Sequence, residues 1–143
     1  EREFAQVSAA LAVPEANPDY QVFAYLDDLH LALAAADAVV GRAGGSVAEI
    51  LARGVPALLV PYPLAAGDHQ TTNARTVVQG GAARMVADAE LTPEVLVREV
   101  EAILEPRTNA AMRAAALRLA RPDAATRIAD VIVELLAAHP GKK

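Results

Sequence analysis

The feature that most restricts the fold of this chain is the run VPALLVPYP, from Val55 to Pro63, which holds almost no polar side chain. A strand that lacks polar and apolar alternation is typical of a parallel sheet covered by helices on both faces. The run is too short to cross a bilayer, which takes about 20 apolar residues. It therefore predicts a buried strand inside an α/β domain.

Strand-like and helix-like segments alternate along the rest of the chain, with short connections. Alternating β-forming residues or short apolar runs predict three further strands, at Tyr20–Tyr25, at 37–41 (DAVVG, read as buried) and at 82–86 (AARMV). Helical spacing and capping residues predict helices at 2–12, 29–36, 46–54, 68–79, 92–104, 109–120 and 123–138, before a polar tail at 139–143.

Several residues are predicted to start or stop these helices. Asp27 and Asp28 offer an N-cap to the second helix, and Thr92 with Pro93 forms the expected opening of the fifth. Gly54 closes the helix that begins near Ser46, and glycines also stop the 68–79 helix.

The order of elements predicts one doubly wound α/β domain, a Rossmann-like parallel sheet flanked by helices. Four strands are few for an open sheet shielded on both sides, and the chain begins with Glu1 inside a helix-like pattern. We therefore expect a piece of a longer chain, from which at least one strand of this sheet is missing.

Composition excludes several classes of protein. Of the 143 residues, 54% are hydrophobic, which is enough for a core, and the net charge is −5. Lysine and arginine are interleaved with acids and aromatics make up 3%, so nucleic-acid binding has little support. The absence of cysteine excludes disulfides, thiolate metal sites and a cysteine nucleophile, and agrees with a cytosolic protein.

Ligands of open parallel sheets bind beyond the carboxyl ends of the strands. The segment GRAGGSVAE follows one strand: Gly44 and Gly45 allow close approach to the backbone, Ser46 can cap the next helix, and the free N–H groups there suit a phosphate. Glu49, one turn further, could reach a ribose. A plain glycine-rich connection with a dipole-compensating glutamate is an equal alternative at this point.

The segment PYPLAAGDHQTTN, after the next strand, crowds polar side chains at a helix start. His69, Gln70 and nearby amides can donate to and accept from sugar hydroxyls. Ordinary capping explains Asp68 well but not His69 and Gln70, so we favour contact with a sugar or another polar ligand.

Two further candidate binding residues, Leu26 and Arg42, also have simpler structural interpretations. Leu26, at the lip of the first predicted strand, could cover a base, although a leucine without a ligand is the simpler interpretation. Arg42 could neutralise a phosphate or brace its loop against Glu49 or Asp37.

Known motifs do not fit. The glycine spacing matches neither the dinucleotide fingerprint nor a Walker A loop, since no lysine follows. No histidine and acid spacing predicts a metal site, and no serine has a G-x-S-x-G context.

Taken together, ADAVVGRAGGSVAEILARGVPALLVPYPLAAGDHQTTNAR, GGAARMV and LTPEVL resemble the nucleotide-sugar-binding lobe of the MurG family of peptidoglycan N-acetylglucosaminyltransferases. The resemblance covers nearly the whole chain and implies the partial C-terminal lobe of a two-lobed GT-B glycosyltransferase. The family's first strand, its G-G-S-x-G-A loop and its acceptor lobe are absent, and the helix at 123–138 would cross toward that lobe.

The resemblance also implies roles for single residues in binding UDP-GlcNAc. Glu49 would hold the ribose, Leu26 the uracil, and Gly44, Gly45 and Ser46, with Arg42 as a further candidate, the diphosphate. His69, Gln70 and Asn73 would contact N-acetylglucosamine; the family more often has glutamine or arginine at the position of His69. The resemblance implies no catalytic residue in this chain, no cofactor and no essential protein-bound metal.

For the longer parent, the resemblance implies transfer of N-acetylglucosamine from UDP-GlcNAc to lipid I at the cytoplasmic face of the inner membrane. Lipid I and the membrane surface would be engaged only through the missing lobe. Two alternatives stay open: a related UDP-sugar transferase with another acceptor, and a non-catalytic α/β binding module.

Overall fold

The computed structural model describes residue 6 and residues 20–139, which contain a three-stranded parallel sheet with helices on both faces. The strands are β1 (Val39–Gly41), β2 (Ala57–Leu59) and β3 (Ala83–Met85), hydrogen-bonded in that order. The helices are α1 (Leu29–Ala35), α2 (Ser46–Ala52), α3 (His69–Gln79), α4 (Pro93–Leu104), α5 (Pro106–Leu119) and α6 (Ala124–Ala138). Short 3-10 turns lie at Ala66–Asp68 and Asp88–Glu90.

β2 is the centre of this sheet and is buried along its whole length, as its apolar sequence predicts. Ala57 and Leu59 belong to a core shared with α1, α2, α3 and α5, whereas Leu58 belongs to a second core shared with α4 and α5. Successive side chains of a strand point to opposite faces of the sheet. Both faces are therefore covered, and the predicted α/β class is confirmed.

α2 and α3 end in the same way, and each end feeds the next strand. Gly54 (φ 65°) and Gly81 (φ 80°) adopt the left-handed conformation just past their helices. Around them, Val55 N–H donates to the Ile50 carbonyl and Ala82 N–H to the Val77 carbonyl, both at 3.1 Å. This is the Schellman arrangement, in which glycine avoids the Cβ strain of positive φ. The predicted glycine stops are confirmed.

α4 and α5 both begin with proline as their first helical residue. Thr92 caps α4, with its Oγ1 accepting from Val95 N–H at 3.3 Å, as predicted. α5 begins at Pro106, three residues before the predicted start at 109, because the Glu105 carboxylate accepts from the N–H groups of Arg107 and Thr108.

The predicted strand at Tyr20–Tyr25 is wrong: none of these residues is in a strand. A strand needs a neighbour to complete its ladder of hydrogen bonds, and no described strand pairs with this segment. The sheet thus has three described strands rather than the predicted four. For the same reason β1 is the edge of the described sheet, and Val40 is 45% exposed rather than buried.

Two other predictions differ in detail or fall outside the described residues. Asp28 occupies the N-cap position of α1, as predicted, but its side chain makes no capping hydrogen bond. The predicted helix at 2–12, apart from residue 6, and residues 140–143 of the tail lie outside the described residues.

α6 is the least packed helix of the described chain, because none of its residues is buried. Its apolar side chains are largely exposed, up to 68% for Leu136. None of the described helices is both long enough and apolar enough to span a bilayer.

Candidate functional site

The candidate site lies where the connections that follow β1, β2 and β3 meet. Because the three strands are parallel, their carboxyl ends reach the same edge of the sheet. Asn73 Nδ2, on α3, donates to the Ala43 carbonyl at 3.1 Å. A Cβ atom built on Gly44 would lie 3.8 Å from Gln70 Nε2, so the glycine loop and the start of α3 are in close contact.

Gly44, Gly45 and Ser46 form the turn into α2, but Ser46 is not the cap that the sequence predicts. Gly45 is the N-cap residue and already has helical backbone angles (φ −60°, ψ −31°), which makes Ser46 the first helical residue. A capping side chain needs an extended backbone at its own position. The Ser46 hydroxyl therefore caps nothing, and a Cβ at Gly45 would meet no described atom within 4 Å.

Glu49 lies in the first turn of α2 and is exposed. It lies three positions after Ser46, so the two side chains lie on the same side of the helix. Within the described part of the chain, the Glu49 carboxylate makes no ion pair or side-chain hydrogen bond. It is thus available to a ligand that offers hydrogen-bond donors.

The polar cluster at the start of α3 is held by backbone contacts. Gln70 Oε1 accepts from Tyr62 N–H at 2.9 Å, and the amide nitrogen of Gln70 therefore faces the glycine loop. His69 Nδ1 contacts the Ala66 carbonyl at 2.8 Å. When Nδ1 donates there, the neutral ring keeps Nε2 as an acceptor.

Capping by Asp68, the ordinary explanation of this cluster, is wrong. Asp68 takes up the left-handed conformation (φ 53°), and its side chain makes no capping hydrogen bond to α3. The 3-10 turn at Ala66–Asp68 brings the chain into α3 at that angle, so an extended N-cap cannot form.

Arg42 braces its loop, but not against Glu49 or Asp37. Its Nη1 donates to the carbonyls of Val60 (3.2 Å) and Pro61 (3.3 Å) and to the Asp88 carboxylate. Asp37 instead lies near Arg113 of α5, at 3.5 Å. Arg42 directly follows β1, so it lies at the carboxyl ends of the strands and reaches the residues that follow β2 and β3. Asp37 precedes β1 and therefore lies at the amino ends of the strands.

Sequence reasoning missed two members of this network, Asp88 and Tyr62. Asp88 directly follows β3, so the rule that placed the other candidates at strand carboxyl ends would also have pointed to it. Tyr62 contributes its backbone N–H and an aromatic ring 5.5 Å from the Arg42 guanidinium. No sequence motif predicts either contact. Leu26 is half-buried before α1, and the network does not include it.

A cavity of about 400 Å³ runs between α2 and α3 from the glycine loop toward the turn between α5 and α6. Its walls are mostly apolar: Gly44, Gly45, Val47, Ala48, Leu51, Asn73, Thr76, Val77, Leu119, Ala120, Arg121 and Ala124. Among the described residues, no group of three or more His, Asp or Glu side chains could hold a metal ion.

Comparison with known proteins gives consistent relatives. Residues 1–128 match the glycosyltransferase family 28 C-terminal domain. A UDP-N-acetylglucosamine–N-acetylmuramyl-(pentapeptide) pyrophosphoryl-undecaprenol N-acetylglucosamine transferase from Gloeobacter violaceus is 44% identical over 128 residues, 86% of this chain and 36% of the relative. A transferase of the same name from Mycobacterium avium is 46% identical over 121 residues, 83% of this chain and 29% of that protein.

Solved structures agree with these relatives. The crystal structure of Acinetobacter baumannii MurG superposes with a TM-score of 0.81 and 32% identity, over 94% of this chain and 39% of that one. The glycosyltransferase VinC, solved with dTDP, shares the fold at a TM-score of 0.63 and 22% identity, over 78% of this chain and 26% of that one.

The chain spans about a third of the length of the curated relatives that it matches. The profile match covers 128 of its 143 residues, and its sheet and helices superpose on a C-terminal lobe of the GT-B fold. The chain therefore belongs to the glycosyltransferase family 28 C-terminal domain family.

Proposed function

We propose that this chain is the donor-binding lobe of a glycosyltransferase that moves N-acetylglucosamine from UDP-GlcNAc to lipid I, forming lipid II in peptidoglycan synthesis. The names of the curated relatives, which state both the donor and the acceptor, support this proposal. The acceptor lobe and the first strand of this lobe would belong to the longer protein, which would work at the cytoplasmic face of the inner membrane.

The observation that carries the proposal is the convergence of three groups at one edge of the sheet. The surroundings of Gly45 are open, Gln70 is fixed against Gly44, and the Glu49 carboxylate is free of protein partners in the described part of the chain. Such a set can take up a nucleotide sugar, because a carboxylate accepts from vicinal hydroxyls, open backbone N–H groups donate to phosphate, and an amide does both for a sugar.

The candidate residues other than Arg42 contact the donor in this proposal. Glu49 accepts from the ribose hydroxyls, and residues 44–46 border the diphosphate of UDP, which departs as the leaving group when the acceptor hydroxyl displaces it from the sugar in a single inverting step. Leu26 lies against the uracil. The sugar is held by His69, Gln70 and Asn73. This chain supplies no catalytic base, which belongs to the acceptor lobe.

Titration calorimetry with UDP, UDP-GlcNAc and UDP-glucose tests donor binding, using the wild-type chain and Glu49→Ala. Loss of a charged acceptor costs about 1.5–3 kcal/mol, so the dissociation constants of all three ligands should rise about 10- to 150-fold. UDP-glucose should bind more weakly than UDP-GlcNAc, because it lacks the acetamido group.

The matched control is Glu101→Ala, which removes an exposed helical glutamate on α4, outside the site. This variant should bind like the wild type. Equal affinity of Glu49→Ala and Glu101→Ala would contradict the ribose role, and a wild-type chain that binds none of the ligands would favour a non-catalytic module. The acceptor is tested separately, by turnover of lipid I against other lipid-linked acceptors with the longer protein.

A further inference from the structure

One guanidinium connects the three segments that build the donor site. Arg42, in the connection after β1, donates through Nη1 to two carbonyls at the end of β2 and to the Asp88 carboxylate after β3. The carbonyls belong to Val60 and Pro61. Since the contacts span 18 to 46 residues of sequence, the arginine fixes the relative positions of three otherwise separate loops.

The carbonyls that Arg42 holds immediately precede the group that orients Gln70. Tyr62 N–H donates to Gln70 Oε1 at 2.9 Å, and the Tyr62 ring lies 5.5 Å from the Arg42 guanidinium carbon. Gln70 Nε2 in turn faces Gly44. A displacement of residues 60–62 would therefore move the Gln70 amide relative to the glycine loop.

The charge of Arg42 is already compensated. The side chains of Arg42 and Asp88 are 49% and 39% exposed, and their ion pair uses the nitrogen that also holds the two carbonyls. A cation that is committed to a carboxylate adds little attraction for a phosphate, because the pair has no net charge. This arrangement favours bracing over the other role that the sequence allows, contact with the diphosphate.

We propose that Arg42 and Asp88 are positioning residues of the donor site. They hold the Gln70 amide at its place beside Gly44, and so they raise the affinity for the sugar part of the donor and not for the nucleotide part. This inference rests on the proposed donor function. Arg42 acts through residues 60–62 and touches neither the diphosphate nor the sugar. Lysine cannot replace it, because its ammonium ends one bond short of the position of Nη1 and lacks the guanidinium plane that lies over the Tyr62 ring.

The test compares Arg42→Met, Arg42→Lys and Asp88→Ala with Glu90→Ala. Glu90 is exposed in the same 3-10 turn as Asp88, so its loss changes the net charge equally but leaves Arg42 in place. For the first three variants, the dissociation constant of UDP-GlcNAc should rise about 3- to 10-fold, the value of one misplaced hydrogen bond. That of UDP should change less than about 2-fold, and Glu90→Ala should resemble the wild type.

Contact with the diphosphate would give a different pattern. Arg42→Met would then weaken UDP and UDP-GlcNAc alike, Arg42→Lys would restore part of the binding, and Asp88→Ala would bind at least as tightly as Glu90→Ala. Any of these three results would overturn the inference.

A second measurement separates the bracing from the donor function. In the ligand-free chain, NMR should show faster exchange of the Tyr62 amide in Arg42→Met and Asp88→Ala than in Glu90→Ala, because its acceptor Gln70 is no longer held in register. Unchanged Tyr62 exchange would refute the brace. If the wild-type chain bound no nucleotide, the proposed function and the sugar selection would both fail, while the exchange data would still decide whether Arg42 braces the loops.

Discussion

Glu99, on α4, is the buried charged residue of the described chain, 8% exposed. Its carboxylate accepts from Arg84 Nε of β3 at 2.6 Å and from Arg98 at 3.0 Å. These hydrogen bonds, that from Arg84 first, hold the pKa of Glu99 below its ordinary value. A lowered pKa means that the folded protein binds the proton less tightly than the unfolded chain, so ionised Glu99 stabilises the fold.

Glu99→Gln should therefore lower the free energy of unfolding by about 1–3 kcal/mol at pH 7, since it weakens the charged hydrogen bonds from Arg84 and Arg98. The difference from wild type should be constant above the ordinary glutamate pKa of about 4.3, and it should shrink as the pH falls below that value. Urea unfolding from pH 7 to pH 3 measures it. Glu101→Gln, an exposed neighbour on the same helix, is the control and should show little change; a pH-independent loss would show that shape, not charge, matters at Glu99.

Two glycines at the ends of α2 should differ in how far alanine destabilises the fold. Gly54 has φ 65°, and a Cβ there would lie 3.0 Å from Leu117 Cγ, so Gly54→Ala should destabilise the fold by about 1–2 kcal/mol. Gly45 has φ −60° and an open surrounding, so Gly45→Ala should leave stability nearly unchanged. In calorimetry, however, Gly45→Ala should bind UDP more weakly, because its Cβ occupies the proposed approach to the diphosphate. Equal melting temperatures of the two variants would contradict the strain argument.

At the scale of the elements, proline at the first helical position is the common start of α4 and α5, and the residue before it supplies the cap. Thr92→Ala should destabilise the chain by about 1 kcal/mol, because it leaves Val95 N–H without its acceptor. Thr92→Ser keeps the hydroxyl and should retain most of the stability. Thermal unfolding followed by circular dichroism distinguishes them; if serine were as damaging as alanine, the methyl group rather than the cap would be responsible.

The elements that sequence predicted well are those whose signals are local. The lack of polar residues in β2 predicts a buried strand. Gly54 and Gly81 indicate helix ends, because few other residues adopt positive φ. The predicted strand at 20–25 failed because strand formation depends on a partner, which the alternation of side chains does not reveal. The start of α5 was missed because glutamate is an uncommon cap, although Pro106 pointed to it.

The candidate site divides in the same way. Gln70 and Asn73 were found from their polarity and Gly44 from its lack of a side chain, all after strand ends, and the structure brings the three together. The partner of Arg42 was not found, because Asp88 lies 46 residues away and only the parallel register brings the two together. Contacts that depend on register are not visible in one sequence without its fold.

At the scale of the whole molecule, stability is divided unevenly. Two cores enclose the sheet through α1 to α5, whereas α6 buries no residue and leaves an apolar stripe exposed that includes Ile128, Ile132 and Leu135. Because none of its residues is buried, α6 gains little from packing on the rest of the described chain, and an isolated helix of this length is marginal in water.

Removal of residues 124–143 should therefore leave the urea midpoint of the remaining chain within about 0.3 M of the original, because none of the described residues 124–138 is buried. The shortened chain should also associate less in light scattering, since the exposed stripe is gone. Ile128→Ser with Leu135→Ser, both exposed, is the matched variant that keeps the helix in place and should reduce association to a similar extent.

The same pair of changes at Leu58 and Ile103, which are fully buried, should unfold the domain. A large drop in the midpoint on removing α6 would show that this helix packs on the domain in solution, and the division of stability between the two cores and α6 would then be wrong.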